Sequence, residues 1–108
     1  GTALRDYVHV SDLAAAHVLA LEHLVAGSAS RAVNLGTGTP HSVLGVIRTV
    51  EAVTGQAVPH EMADRRPGDP PELWADASLA RSLLGWSPRY PSLDQMVETA
   101  WAWAAKTR

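Results

Sequence analysis

Short apolar runs alternate with longer amphipathic stretches along the 108 residues of this chain. The short runs predict strands, because they are bounded by turn residues and have the length of strands rather than helices. Those strands are expected at 5–10, 33–36, 58–62 and, very briefly, 73–75. Helices are expected between and after them, at 12–27, 42–54, 76–85 and 92–107. Strands separated by helices are typical of an α/β fold.

The expected helices carry their own start and stop signals. Ser11 and Ser42 precede apolar periodic stretches and are predicted N-caps. Gly27 and Gly55 follow the last periodic positions, where a left-handed residue commonly ends a helix. In the final helix, Ser92 is followed three residues later by a glutamine, which is the pattern of a capping box.

The first predicted helix is apolar all round its circumference. One face carries Leu13, Ala16 and Leu24, and another carries Val18 and Leu21. A helix of this kind is normally buried on several sides, which a free domain of this size does not provide. We therefore expect the chain, which opens directly on a strand-like run without an initiator Met, to be a piece of a larger protein.

Composition excludes several classes of function. The net charge is −2 and the pI is near 6.2, so nothing predicts binding to nucleic acid or to an anionic membrane. Cysteine is absent, which excludes disulfides and thiolate chemistry and fits a cytoplasmic location. No apolar run approaches the length of a membrane span, and the five histidines lack metal-ligand spacing.

The segment VNLGTGTPHS resembles a dinucleotide-binding turn but departs from its pattern. That pattern needs a third glycine or small residue where this chain has His41, and an acid about 20 residues after the glycines. Glu51 comes too early, and no clear second strand leads to Glu61. We therefore interpret 36–38 as a tight turn from strand to helix, without a bound cofactor.

The segment ADRRPGDPPELWAD, at 63–76, is the strongest candidate for chemistry. Arg65, Arg66 and Asp69 surround a turn that prolines make rigid, a combination suited to an anion that also bears hydroxyl groups. Arg5 would add a further positive charge if the fold brings it near. The alternative is a solvated charged turn with an internal Arg–Asp pair.

Other polar and aromatic residues have simpler interpretations. His9 is close enough in sequence to Asp6 and Asp12 that it could pair with either, but no nucleophile elbow accompanies it, so a hydrolytic triad is not predicted. Trp74 and Trp86 are expected to contribute to core or turn packing.

Five segments in this order resemble the UDP-glucose 4-epimerase family, within the extended short-chain dehydrogenase/reductase group. They are RDYVHVSDLAAAHVLAL, VNLGTGTPHSVLGVI, RRPGDP, WADASLARSLLGWSPRY and SLDQMVETAWAW. The resemblance covers the whole chain; Leu79 departs from it where a lysine is common. It implies an α/β piece of such an enzyme, with 1–40 as the tail of the NAD-binding Rossmann domain and 41–108 as the C-terminal UDP-sugar-binding domain.

The resemblance also implies roles for particular residues. Arg66 and Arg5 resemble arginines that hold the UDP phosphates, and Asp69 resembles an acid that bonds ribose hydroxyls. Val43 resembles a wall of the uracil pocket, and Leu73 resembles the position that limits room around the sugar. The family's Tyr-x-x-x-Lys pair is absent, so no catalytic, cofactor-binding or metal-binding residue is expected here.

The activity implied for the parent protein is the NAD-dependent interconversion of UDP-glucose and UDP-galactose at carbon 4 of the sugar. The implied partners are the UDP-sugar, an N-terminal domain that binds NAD, and a second copy in a homodimer. Two alternatives remain open: the same segment of another sugar-nucleotide enzyme, such as a dehydratase or decarboxylase, and a non-catalytic module for UDP binding or assembly.

Overall fold

The computed structural model of the chain describes residues 2–61, 67, 68 and 70–106. Within this part the α/β class is confirmed, with four helices and a small three-stranded sheet. The elements in chain order are β1 (Leu4–Arg5), α1 (Val10–Val25), β2 (His41–Ser42), α2 (Val43–Thr54), β3 (Glu72–Leu73), α3 (Ser78–Leu84) and α4 (Leu93–Lys106).

The sheet has the order β2-β1-β3, with β1 in the centre. β2 pairs with β1 in antiparallel orientation, and Arg5 lies opposite His41. β3 pairs with β1 in parallel, and Arg5 lies opposite Leu73. The Leu4 amide extends this pairing by donating to the Pro71 carbonyl at 2.9 Å. Three distant parts of the chain therefore meet across two residues of β1.

Several expected strands are shorter than predicted or absent from the described residues. β1 ends at Arg5, and the expected strand at 33–36 is extended chain without a ladder. Residues 58–61 likewise form no strand, and Met62 lies outside the described residues. The physical reason is that a strand exists only where a second backbone pairs with it, and apolar character alone does not supply that partner.

The helix ends follow the local signals more closely. The Ser42 hydroxyl accepts from the Gly45 amide at 2.9 Å, and Gly55 ends α2 in the left-handed conformation. Gly85 ends α3 in the same way. The predicted N-cap at Ser11 is wrong, because α1 begins at Val10 and the His9 ring accepts from the Ser11 amide at 3.0 Å.

The core of the described residues is small. Ala16, Ala80 and Trp86 form its buried apolar cluster, where α1 packs against α3, while α2 packs against α4. Much of α1 stays exposed, including 62% of Leu21, as an all-round apolar helix with few neighbours requires. The Cα radius of gyration is 16.4 Å, against about 13 Å for a compact domain of this length.

Candidate functional site

The sheet pairs two of the five residues expected to bind the nucleotide sugar, and a third lies at its other end. Arg5 ends β1 and lies opposite Leu73 in β3, whereas Val43 follows Ser42, which lies opposite Leu4 at the start of β1. Residues opposite each other in a ladder project to the same side of the sheet. Arg5 and Leu73 are therefore neighbours, although 68 positions separate them in the sequence.

Arg5 is half-buried at the centre of this arrangement. Its Nη1 donates to the Leu4 carbonyl at 2.7 Å, which ties the guanidinium back onto β1. A guanidinium has five N–H donors in a planar fork suited to phosphate oxygens. Its place in the sheet and its chemistry together suit an anion bound at the end of β1.

Leu73 presents exposed apolar surface beside Arg5, and Val43 presents it at the other end of the sheet. Val43 is 41% exposed and Leu73 is 58% exposed. The Ser42 cap fixes the first turn of α2 and hence the position of Val43. Exposed apolar side chains next to a cation suit a ligand that has both an anionic group and flat or hydrophobic faces.

The other two expected residues, Arg66 and Asp69, lie outside the described residues. The turn between them is described at Pro67 and Gly68, where Gly68 adopts a positive φ of 85°. That conformation favours glycine over any residue with a Cβ atom. The turn predicted at Pro67–Gly68 is thus confirmed, and the roles of Arg66 and Asp69 stay predictions.

The glycine turn at 36–38 holds a carboxylate from its own chain. Both Asp6 oxygens accept from the Thr37 amide, at 2.9 and 3.0 Å, and one also accepts from the Gly38 amide at 2.9 Å. The Thr37 hydroxyl donates to Asp6 Oδ1 at 2.7 Å. Successive amides of this kind form an anion seat like those that bind phosphate. Here Asp6 fills the seat, which fits the interpretation of 36–38 as a turn without a cofactor.

The same turn is packed too tightly for a side chain at its first glycine. A Cβ atom added at Gly36 would lie 2.5 Å from Asp6 Oδ2 and 3.2 Å from the Ala75 Cβ. Gly36 is therefore needed because the turn closes against both the end of β1 and the segment that follows β3.

A second carboxylate that sequence reasoning undervalued is Asp12, which is buried near the start of α1. Its oxygens accept from the Arg89 and Tyr90 amides at 2.9 and 3.0 Å. Its backbone carbonyl accepts from the Trp86 indole at 2.8 Å. Asp12 thus joins α1 to 86–90. No local sequence signal marks this contact, because its partners lie 77 and 78 residues away in the chain.

The His9 ring pairs with neither Asp6 nor Asp12. Its Nδ1 accepts from the Ser11 amide, so the ring hydrogen lies on Nε2, which is 2.8 Å from the Thr99 hydroxyl in α4. Its ring also lies 4.9 Å from that of Tyr90, at an angle of 36°. These contacts hold α1 against α4 and place His9 in a structural role.

The two tryptophans behave differently from each other. Trp86 is a buried core residue, as predicted. Trp74 is 49% exposed, and its indole donates to Glu72 at 2.7 Å, so its expected packing role is not confirmed. The residue next to Leu73 therefore adds to the exposed apolar surface near β3.

The described residues contain neither a cluster of metal ligands nor a membrane-spanning helix. No group of three or more His, Cys, Asp or Glu side chains within the described ranges is arranged to hold a metal ion. Among the helices that the structure describes, none has the length and apolar character to cross a membrane.

Comparison with known proteins places this geometry in a family. The family model described as GDP-mannose 4,6 dehydratase matches residues 1–100. A UDP-glucose 4-epimerase of Azospirillum brasilense is 54% identical over 103 residues, covering 95% of this chain and 30% of the relative.

Solved structures give the same result. The UDP-glucose 4-epimerase of Brucella ovis in complex with NAD has 48% identity and a TM-score of 0.82, over 90% of this chain and 30% of that one. The enzyme of Stenotrophomonas maltophila, with bound NAD and formylated UDP-arabinopyranose, has 46% identity and a TM-score of 0.88, over 98% and 31%. This chain thus spans about a third of the length of the proteins that it matches, and it belongs to the extended short-chain dehydrogenase/reductase family, with UDP-glucose 4-epimerases as its relatives.

Proposed function

We propose that this chain is the UDP-sugar-binding part of an NAD-dependent UDP-glucose/UDP-galactose 4-epimerase. It would anchor the UDP diphosphate while the sugar is epimerised at carbon 4. The observation that carries the proposal is the pairing of Arg5 with Leu73 at one end of the small sheet, with Val43 at its other end. A related enzyme of known structure is named as holding a UDP-sugar, which supports the same ligand class here.

The chemistry of epimerisation requires these residues to bind different parts of the UDP-sugar. The sugar must present both faces of carbon 4 in turn, so it has to be held loosely while the nucleotide stays fixed. Strong charged contacts therefore belong on the diphosphate, which we assign to Arg5 and Arg66. Asp69 would accept from the ribose hydroxyls, Val43 would lie against the uracil, and Leu73 would border the sugar.

The glycine turn at 36–38 does not fit the pyrophosphate of NAD. Its Thr37 and Gly38 amides already donate to the Asp6 carboxylate. A second anion there would meet a like charge. We therefore assign NAD and the hydride transfer to a preceding domain of the parent protein. The division at residue 40, a homodimeric parent and a cytoplasmic location remain predictions from the resemblance.

A second candidate function is the corresponding segment of a sugar-nucleotide dehydratase. It is favoured by the match to the family model described as GDP-mannose 4,6 dehydratase. The two candidates differ in the reaction product, because a dehydratase removes water and an epimerase leaves the sugar's composition unchanged. Mass spectrometry of the product from the full-length enzyme separates them.

The test of the UDP anchor uses variants of the full-length enzyme and calorimetry with UDP. We expect Arg5→Ala and Arg66→Ala each to weaken UDP binding by about 1.5–3 kcal/mol, as for the loss of a hydrogen bond to a charged group. Arg65→Ala is the matched control for Arg66, since neighbours on an extended segment project to opposite sides. Arg81→Ala, in the last turn of α3, is the control for Arg5. Failure of the wild-type enzyme to bind UDP, or equal losses in the controls, would contradict the proposal.

A further inference from the structure

The Asp6 carboxylate lies between two parts of the candidate site. It follows Arg5 directly in the chain, and it accepts four hydrogen bonds of 2.7–3.0 Å from Thr37 and Gly38. Thr37 and Gly38 lie 31 and 32 positions after Asp6 in the sequence. The glycine turn leads through Thr39 and Pro40 into β2 and Val43. Asp6 is thus the side chain that clamps the strand bearing Arg5 onto the segment that carries Val43.

The clamp leaves little freedom around it. Gly36 is buried, and a Cβ atom there would collide with Asp6 Oδ2 and press on both the side chain and the carbonyl of Ala75. Ala75 is two residues beyond Leu73, so the glycine turn also contacts the segment that continues β3. A change at Asp6 is therefore expected to affect β1 directly and, through the glycine turn, both β2 and the segment that continues β3.

A carboxylate is chemically suited to this seat for a specific reason. Two backbone amides and one hydroxyl converge on it, and hydrogen bonds to an ionised acceptor are about twice as strong as those between neutral groups. An asparagine of the same shape keeps one acceptor oxygen but turns an N–H₂ group towards the remaining donors. The seat thus discriminates between a carboxylate and its amide.

We propose that Asp6 is a positioning residue of the UDP anchor: it fills the anion seat of the glycine turn and thereby sets the place of Arg5 relative to Val43 and Leu73. This inference rests on the proposed function, since it assigns to the same UDP site a residue that positions Arg5. Asp6 itself makes no contact with the nucleotide and acts through β1 and β2.

The first experiment compares Asp6→Asn with the wild type in the full-length enzyme. We expect Kd for UDP and KM for UDP-glucose to rise together by about tenfold, with kcat changed by less than about twofold, because the nucleotide anchor is displaced and the hydride machinery is not. Asp12→Asn is the matched control, since Asp12 also accepts from two backbone amides but joins α1 to 89–90. It should lower the melting temperature and leave Kd for UDP unchanged.

The second experiment restores the missing anion. Asp6→Ala removes the carboxylate and vacates the seat, so added sodium formate should recover UDP affinity, while sodium chloride at the same ionic strength should not. Wild type and Asp12→Asn should be indifferent to formate. An equal response to formate and chloride in Asp6→Ala would show that the turn needs no anion and would overturn the inference.

A milder pair of variants covers the case in which Asp6→Ala fails to fold. Thr37→Val removes the hydroxyl that donates to Asp6 and nearly preserves the shape of the side chain. It should raise Kd for UDP severalfold, and Thr37→Ser should restore it. Unchanged UDP binding in both Asp6→Asn and Thr37→Val, with normal wild-type binding, overturns this inference alone. Absence of UDP binding in the wild type overturns the proposed function as well.

Discussion

Under the proposed function, Leu73 is the residue of this chain at which we expect the choice of sugar to be decided. It lies opposite Arg5 in the β1–β3 pairing and is more exposed than Val43, the other apolar residue of the candidate site. A leucine has a smaller reach than an aromatic residue and leaves space beside the place where we put the diphosphate. A bulkier sugar substituent would therefore fit next to it.

We expect the full-length enzyme to accept UDP-N-acetyl sugars as well as UDP-glucose. Leu73→Tyr should then depress kcat/KM for UDP-N-acetylglucosamine while largely sparing UDP-glucose. Excluding several heavy atoms discriminates by more than the ~1–3 kcal/mol of a single methylene. Steady-state kinetics with both substrates measures the effect, and Leu79→Tyr, on α3, serves as the control for an added aromatic group. If both substrates lose activity together at Leu73→Tyr, the leucine supports the fold and does not select the sugar.

Among the elements, α3 shows how local chemistry fixes a helix start. The Asp76 carboxylate accepts from both the Ser78 hydroxyl, at 2.6 Å, and the Ser78 amide, at 2.9 Å. These hydrogen bonds lower the pKa of Asp76 from its ordinary value of 3.8, and the hydrogen bond from the Ser78 hydroxyl has the largest effect. The charge of Arg81 acts in the same direction. The ionised carboxylate therefore belongs to the folded form of the start of α3.

The sign of the resulting pH dependence follows from the lowered pKa. A carboxyl whose pKa is lower when folded stabilises the structure above its unfolded pKa and loses that contribution as the pH falls through its folded pKa. We expect hydrogen exchange at α3 to be slower in the wild type than in Asp76→Asn near neutral pH. The difference should shrink below about pH 3.8. In a Ser78→Ala background, the effect of Asp76→Asn on hydrogen exchange should be smaller at every pH. If the difference between wild type and Asp76→Asn did not change with pH, this account would be contradicted.

At the scale of the whole molecule, the described residues leave ten large apolar side chains exposed, and half of these lie on α1. The described residues extend over 50 × 38 × 20 Å, and the buried apolar cluster is confined to the contact of α1 with α3. Because hydrophobic burial supplies most of the driving force for folding, such a chain has little stability of its own. Further protein packed against α1 would supply the missing burial.

We expect this 108-residue chain by itself to have no epimerase activity. It contains no Tyr-x-x-x-Lys pair, and its glycine turn holds Asp6 in place of a cofactor phosphate. The measurement is conversion of UDP-galactose by the purified chain with NAD added, with the full-length enzyme as the positive control. Host epimerase must be removed, for example by expression in a strain that lacks it. Turnover by the chain alone would contradict the assignment of the chemistry to another domain.

The sequence by itself determined the features that depend on near neighbours. The Ser42 cap of α2 and its glycine stop at Gly55 follow from side chains and backbone within a few residues, so periodicity and caps predicted them. The ordered motifs were equally sufficient for the family, because a resemblance in sequence needs no knowledge of contacts. The roles of Arg66 and Asp69 remain predictions of that kind.

Tertiary structure alone decided the features that depend on distant partners. The expected strand at 33–36 has no ladder among the described residues, whereas two-residue β1 gains one on each side. Asp6 meets the glycine turn across 31 residues, and Asp12 meets Arg89 across 77. The sequence does not distinguish a carboxylate that faces solvent from one that binds a ligand or a backbone turn. The path of the folded chain decides between these partners, since hydrogen bonding and strand pairing act between residues that are close in space and not necessarily close in sequence.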